Sequence, residues 1–129
     1  MPDRVLLVEK DDLLAILFEL ALVEAGYAVV RARHGWEAMA RLAETAPIDA
    51  LVTDVSLNEG PDGWQVARRA RMRFEGLPVI YMTGGRADEW APQHVPMGVL
   101  LLKPFHVLQM VEMVGQMLAA RREGRRCSA

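Results

Sequence analysis

The sequence predicts a doubly wound α/β domain, a five-stranded parallel sheet covered by helices on both faces. Short continuous apolar runs alternate along the chain with segments of helical periodicity, the pattern expected of strands buried on both sides. Every predicted strand exit except the second offers a polar group. The 129 residues give room for one domain with one real hydrophobic core.

The runs are Val5-Leu6-Leu7-Val8, Ala28-Val29-Val30, Ala50-Leu51-Val52, Val79-Ile80-Tyr81-Met82 and Val99-Leu100-Leu101-Leu102. None alternates with polar residues, and several are β-branched. After the first run, Leu13, Ile16, Leu17, Leu20 and Ala21 recur at helical spacing and stop at Gly26, a residue suited to a left-handed helix end. Trp36, Met39, Ala40 and Ala43 predict the apolar face of a second helix. Trp64, Ala67, Ala70 and Phe74 predict a third, which ends before Gly76 and Pro78. Between Arg86 and Met97, Pro92 and Pro96 leave space for only a short or irregular fourth helix. Val107, Met110, Val111, Val114, Met117 and Leu118 mark the last. Residues 120–129 are polar and are expected to fray.

Composition narrows the function. Hydrophobic residues make up 52% and charged residues 25%, which argues against disorder. Fifteen Lys+Arg against seventeen Asp+Glu give a net charge of -2, so no bulk positive charge recruits nucleic acid. The single cysteine, Cys127, excludes an internal disulfide framework and a cysteine-based zinc site, and fits a reducing compartment. His34, His94 and His106 lack metal-ligand spacing. The apolar stretch Leu13–Val23 contains Glu19 and is too short to span a bilayer, and no signal-peptide pattern precedes it. No membrane partner and a cytoplasmic location are the expectations.

In an open parallel sheet, ligands gather at the carboxyl ends of the strands. There the sequence places Glu9, Lys10 and Asp11 after the first strand, Asp54 after the third, Thr83 and Gly84 after the fourth, and Lys103-Pro104 after the fifth. This convergence suits phosphoryl transfer to a carboxylate. Asp54 could serve as the nucleophile. The phosphoryl oxygens need cations and donors, which Lys103 and Thr83 supply. Acids beside Asp54 would hold a hard divalent ion such as magnesium through oxygen ligands. Taken singly, Asp54 reads equally well as a turn cap, Thr83 as a turn former and Lys103 as a solvated lysine. Together they favour the site. Asp11 or Asp12 also fits the N-cap of the first helix.

Leu-Val-Glu-Lys-Asp-Asp at the first strand, Leu-Val-Thr-Asp at the third with Asp62-Gly63 following, Met-Thr-Gly at the fourth and Leu-Lys-Pro-Phe at the fifth are four motifs in order. With them the chain resembles the receiver domain of bacterial two-component response regulators, over residues 3–119. The resemblance implies a flavodoxin-like strand order, 2-1-3-4-5, and a stand-alone response regulator. In that reading Asp54 accepts a phosphoryl group from a phosphohistidine on a sensor histidine kinase or phosphotransfer protein. It implies phosphoryl binding by Thr83 and Lys103, a cis Lys103–Pro104 peptide, and a magnesium site from Glu9, Asp54 and the Ser56 carbonyl. Such a protein promotes its own phosphorylation and dephosphorylation, and it signals downstream through the face of helix 4, strand 5 and helix 5. A homodimer centred on helix 5 is one arrangement left open.

Several residues depart from the pattern. Lys10 stands where the family has an aspartate that ligates magnesium, and an ammonium repels a cation. It is expected to pair with Asp54 and weaken the metal site, with Asp11 as a substitute ligand if the loop shifts. Leu100 replaces the usual switching tyrosine or phenylalanine. The loop from Asp54 to Asp62 reads one residue long, and the stretch from Thr83 to Lys103 about two residues short. The second reading is therefore a pseudo-receiver, used as a phosphorylation-independent interaction or dimerisation module. A flavin or nucleotide site is disfavoured, because Glu-Lys-Asp-Asp stands where a glycine-rich phosphate loop would be needed. The arginines at positions 68, 69, 71 and 73 read as a solvated helix face.

Overall fold

The computed structural model describes residues 1–128, with side chains through Arg125. Five strands, β1 (Arg4–Val8), β2 (Ala28–Ala32), β3 (Ala50–Asp54), β4 (Val79–Thr83) and β5 (Val99–Leu102), form one parallel sheet in the order β2-β1-β3-β4-β5. The helices are α1 (Asp12–Glu24), α2 (Gly35–Leu42), α3 (Gly63–Arg73), α4 (Trp90–Gln93) and α5 (Val107–Ser128), with a 3-10 turn at Ala87–Glu89 leading into α4. No helix among the described residues is long and apolar enough to cross a membrane.

Alternation along each strand sorts the core into two layers, because successive side chains leave opposite faces. Val5, Leu7, Val52, Ile80, Met82 and Leu101 face α1 and α5, where they meet Phe18, Leu22, Met110, Val114 and Leu118. Leu6, Val8, Leu51, Val79 and Tyr81 face α2 and α3, where they meet Ala38, Leu42, Trp64, Val66, Ala67 and Ala70. The expected faces of α3 and α5 are thus the buried ones.

The faces expected of α1 and α2 are not. Leu13, Ile16, Leu17 and Leu20 are exposed, and α1 packs instead through Ala15, Phe18 and Leu22. Trp36 is exposed, while Ala38 and Leu42 carry α2 onto the sheet. In α1 both faces are apolar, so spacing alone could not choose between them. The α5 helix runs through Ser128, over residues where fraying was expected. Arg121 ties this extension to the fold by donating to the Glu75 carbonyl at 2.9 Å and the Asp49 carbonyl at 3.5 Å, and Arg122 pairs with Asp3. The short, broken α4 is as expected.

Gly26 and Gly63 are required by geometry for different reasons. Gly26 takes φ 101° just beyond α1, a conformation open to it without steric cost. A Cβ on Gly63 would lie 2.1 Å from the Asp54 carbonyl oxygen. Glycine alone therefore lets α3 begin against the end of β3, where the Gly63 N–H donates to the Val55 carbonyl at 2.7 Å.

Candidate functional site

All five strands run the same way, so their carboxyl ends share one edge of the sheet. Asp54 is the last residue of β3 and Thr83 the last of β4, while Glu9 follows β1 and Lys103 follows β5. The buried polar side chains among the described residues are Glu9, Thr53, Asp54 and Thr83. Three of these four lie at this edge, which is costly for folding unless each is partnered. Thr53 is satisfied locally, its hydroxyl donating to the Asp54 carbonyl at 2.8 Å.

The Lys103 ammonium joins the two buried acids, donating to Asp54 Oδ1 at 2.7 Å and to Glu9 Oε1 at 2.9 Å. The other Asp54 oxygen, Oδ2, accepts from the main-chain N–H of Lys10 at 3.0 Å. Glu9 Oε2 accepts from the Asp11 N–H at 3.0 Å. Burial pushes the Glu9 carboxyl up to about 7, reinforced by its hydrogen bond and repulsion with Asp54. For Lys103, burial works against the charge, but the bonds and negative charge of Asp54 and Glu9 outweigh it and raise the pKa. The peptide between Lys103 and Pro104 is cis.

Lys10 does not pair through its side chain with Asp54. Its ammonium reaches across the mouth of the site and donates to the Ser56 carbonyl at 2.8 Å; only its backbone N–H binds Asp54. Asp11 is likewise committed elsewhere, with Oδ1 capping α1 by accepting from the N–H groups of Leu13 and Leu14 at 2.9 and 3.1 Å. The site thus brings together Glu9, Lys10, Asp54, Ser56 and Lys103, and leaves Asp11 at the helix cap. Thr83 lines the same cleft, of about 120 Å³, with Lys10, Asp54, Ser56, Gly84, Gly85 and Lys103.

The resemblance implies a magnesium ion held here by Glu9, Asp54 and the Ser56 carbonyl. The donors here fit a divalent ion poorly as arranged. Such an ion wants six or more oxygens, yet the Ser56 carbonyl is held by the Lys10 ammonium, and Lys103 occupies one oxygen each of Asp54 and Glu9. No cluster of three acidic, histidine or cysteine side chains that could hold a metal occurs among the described residues.

Two residues absent from the sequence-based set also bear on the site. Arg31, at the end of β2, donates to the Glu9 carbonyl at 2.8 Å and pairs with Asp12 at 2.9 Å. Arg86 bonds Asp62, the N-cap of α3, at 3.0 Å and Glu89 at 2.7 Å. The Arg86–Glu89 spacing was the available signal, since i,i+3 partners meet on one turn. The 24-residue separation from Asp62 offered none. Leu100 is partly buried against the α2–α3 core layer, opposite Tyr81 in the β4–β5 register.

Comparison with known proteins identifies the family. The family model for the response regulator receiver domain matches residues 5–115. The response regulator receiver protein CpdR of Brucella abortus is 35% identical over 122 residues, covering 91% of this chain and 98% of that protein. The transcriptional regulatory protein QseB of Haemophilus influenzae is 31% identical over 123 residues; the match covers 94% of this chain but 54% of that longer protein. Among solved structures, a response regulator receiver protein from Sinorhizobium medicae superposes with a TM-score of 0.90 at 39% identity, over 93% of this chain and 97% of its own. The receiver domain of the hybrid histidine kinase CckA gives 0.76 at 30% identity, over 89% and 98%. With the family model covering most of its length, and with the strand order and strand-end residues that the four motifs predicted, this chain belongs to the response regulator receiver domains of two-component systems.

Proposed function

We propose that the protein works in the cytoplasm as a stand-alone response regulator, accepting a phosphoryl group on Asp54 from a phosphohistidine and signalling by protein–protein contact. The observation that carries this reading is the Asp54 carboxylate, 1% exposed yet lining an open cleft, with Lys103 on one oxygen. In the transfer, an Asp54 carboxylate oxygen attacks phosphorus. The O–P bond forms as the N–P bond to the donor imidazole breaks, and that nitrogen keeps the electron pair. Lys103 follows the charge from carboxylate to phosphoryl oxygen, and the Thr83 hydroxyl donates to a second oxygen. Receiver domains act with histidine kinases or phosphotransfer proteins, and a protein of that kind is the donor class. The downstream partner would dock on the face of α4, β5 and α5.

The role of magnesium is reduced in this reading. With its ammonium on the Ser56 carbonyl, Lys10 sets a positive charge against an oxygen that a metal ion would need. The same contact favours the second reading, a pseudo-receiver locked by Lys10.

Intact-protein mass after incubation with acetyl phosphate, with and without magnesium, tests both. Wild type should gain one phosphoryl adduct that Asp54→Asn loses, with little dependence on magnesium. Lys10→Asp should make the adduct magnesium-dependent. No adduct on wild type, with a magnesium-dependent one on Lys10→Asp, would instead establish the pseudo-receiver.

A further inference from the structure

Thr83 is tied to more than the cleft. Its Oγ1 accepts from the N–H groups of Gly85 at 3.3 Å and Arg86 at 3.0 Å. A hydroxyl has one hydrogen to give and two lone pairs to receive. With its oxygen receiving from the loop, Thr83 keeps its hydrogen for an acceptor in the cleft.

The other end of Arg86 is also fixed. Its Nη2 donates to Asp62 Oδ2 at 3.0 Å and Glu89 Oε1 at 2.7 Å, and its Nε to Glu89 Oε2 at 2.9 Å. Charge-assisted, forked contacts of this kind set geometry more strictly than a single bond. Glu89 Oε1 accepts in turn from the indole N–H of Trp64 at 3.0 Å, and Trp64 is 1% exposed. Its ring lies 4.6 Å from Tyr81 and 6.4 Å from Trp90, and Trp90 stacks on His94 at 3.8 Å. A single chain of contacts therefore runs from the cleft hydroxyl to an aromatic cluster at the β4–α4 edge.

We propose that Arg86 is a positioning residue for Thr83 and that, through Glu89, it carries occupancy of Asp54 to the Trp64–Tyr81–Trp90 cluster. The proposal rests on the phosphoryl-accepting reading of Asp54. A phosphoryl oxygen is a strong, charged acceptor, so Thr83 turns toward it when Asp54 is modified. Because Oγ1 holds the Arg86 N–H, that turn draws the loop with it. The guanidinium, forked onto Glu89, then shifts the carboxylate that satisfies the buried Trp64 indole. Leu100 has no ring to swing. The ring that responds is on α3 and the output is at Trp90.

The test uses Trp36→Phe protein, because Trp36 is 64% exposed and its emission would mask that of the cluster. Acetyl phosphate is added, and intact mass and indole emission are read on the same sample. In this protein, emission should change in proportion to the adduct. In Trp36→Phe/Glu89→Gln the adduct should form while the emission change is lost. Equal changes in both, or an adduct with no change in either, would overturn the proposal. If no adduct forms, the phosphoryl-accepting reading has failed, and the coupling is decided in unmodified protein by the NMR resonance of the Trp64 indole N–H. Thr83→Val should shift that resonance, Thr83→Ser should leave it in place, and the Val shift should vanish when Glu89→Gln is added. An unmoved resonance in Thr83→Val would sink the coupling without any reference to phosphorylation.

Discussion

Two ion-pair networks lie within the same end of the molecule and differ in kind. Around Asp54, one ammonium serves two carboxylates, of which Glu9 is 0% and Asp54 1% exposed. Around Arg86, one guanidinium serves Asp62 and Glu89, with all three side chains roughly a third exposed. The first network hangs from strands β1 and β3, each with neighbours on both sides, and from the end of β5. The second joins a helix cap to a 3-10 turn. Charge at the sheet's end is buried and costly to leave unpaired; charge between the loops is partly solvated and costs less to remove. The strand-end site carries Glu9, Asp54, Thr83 and Lys103 where the motifs place them, whereas the α4 edge has a four-residue helix and Leu100 on β5.

The sharpest way to break this contrast is to remove each cation. Lys103→Met strands two buried acids and should cost about 3 kcal/mol of unfolding free energy at pH 8. Arg86→Met removes a partly solvated network and should cost about 1 kcal/mol or less. Urea denaturation of both variants measures the difference, and equal losses would erase the distinction. A second comparison uses backbone space. Gly63→Ala drives a methyl group into the Asp54 carbonyl and should cost about 2–3 kcal/mol. Gly85→Ala meets nothing within 4 Å and should fall within about 0.5 kcal/mol of wild type by the same assay.

The third is a matter of pH. Glu9 titrates at about 7 in the folded protein, above its ordinary value of 4.5, so the folded state binds its proton more tightly than the unfolded state does. Its contribution is therefore fully present below about 4.5 and lost as pH rises through about 7. Glu9→Gln should remove that slope. It should match wild type near pH 4.5 and exceed it at pH 8 by about 3 kcal/mol. Urea midpoints across this range would check it, and parallel curves for the two proteins would refute it.

The strands were legible because each is a short apolar run buried on both faces, and the convergence of polar residues at one edge because such residues at strand exits are uncommon and came in company. Glu9, Asp54 and Lys103 meet as their positions implied. What escaped the sequence was phase and distance. Leu13, Ile16, Leu17 and Leu20 have the periodicity of a buried face, but so do Leu14, Phe18 and Leu22, and only packing selects between them. Lys10 was read against its neighbour Asp54, whereas its long side chain reaches Ser56, 46 positions away. The continuation of α5 past residue 120 depends on carbonyls 46 and 72 positions earlier, which no local pattern announces.

That continuation has a topological consequence. Arg122 grips Asp3 across 119 positions of chain, so the path that begins at the first strand returns nearly to its origin. Helix α5 thereby works as a clasp, holding the segment that leads into β1 against the last helix to pack on the sheet.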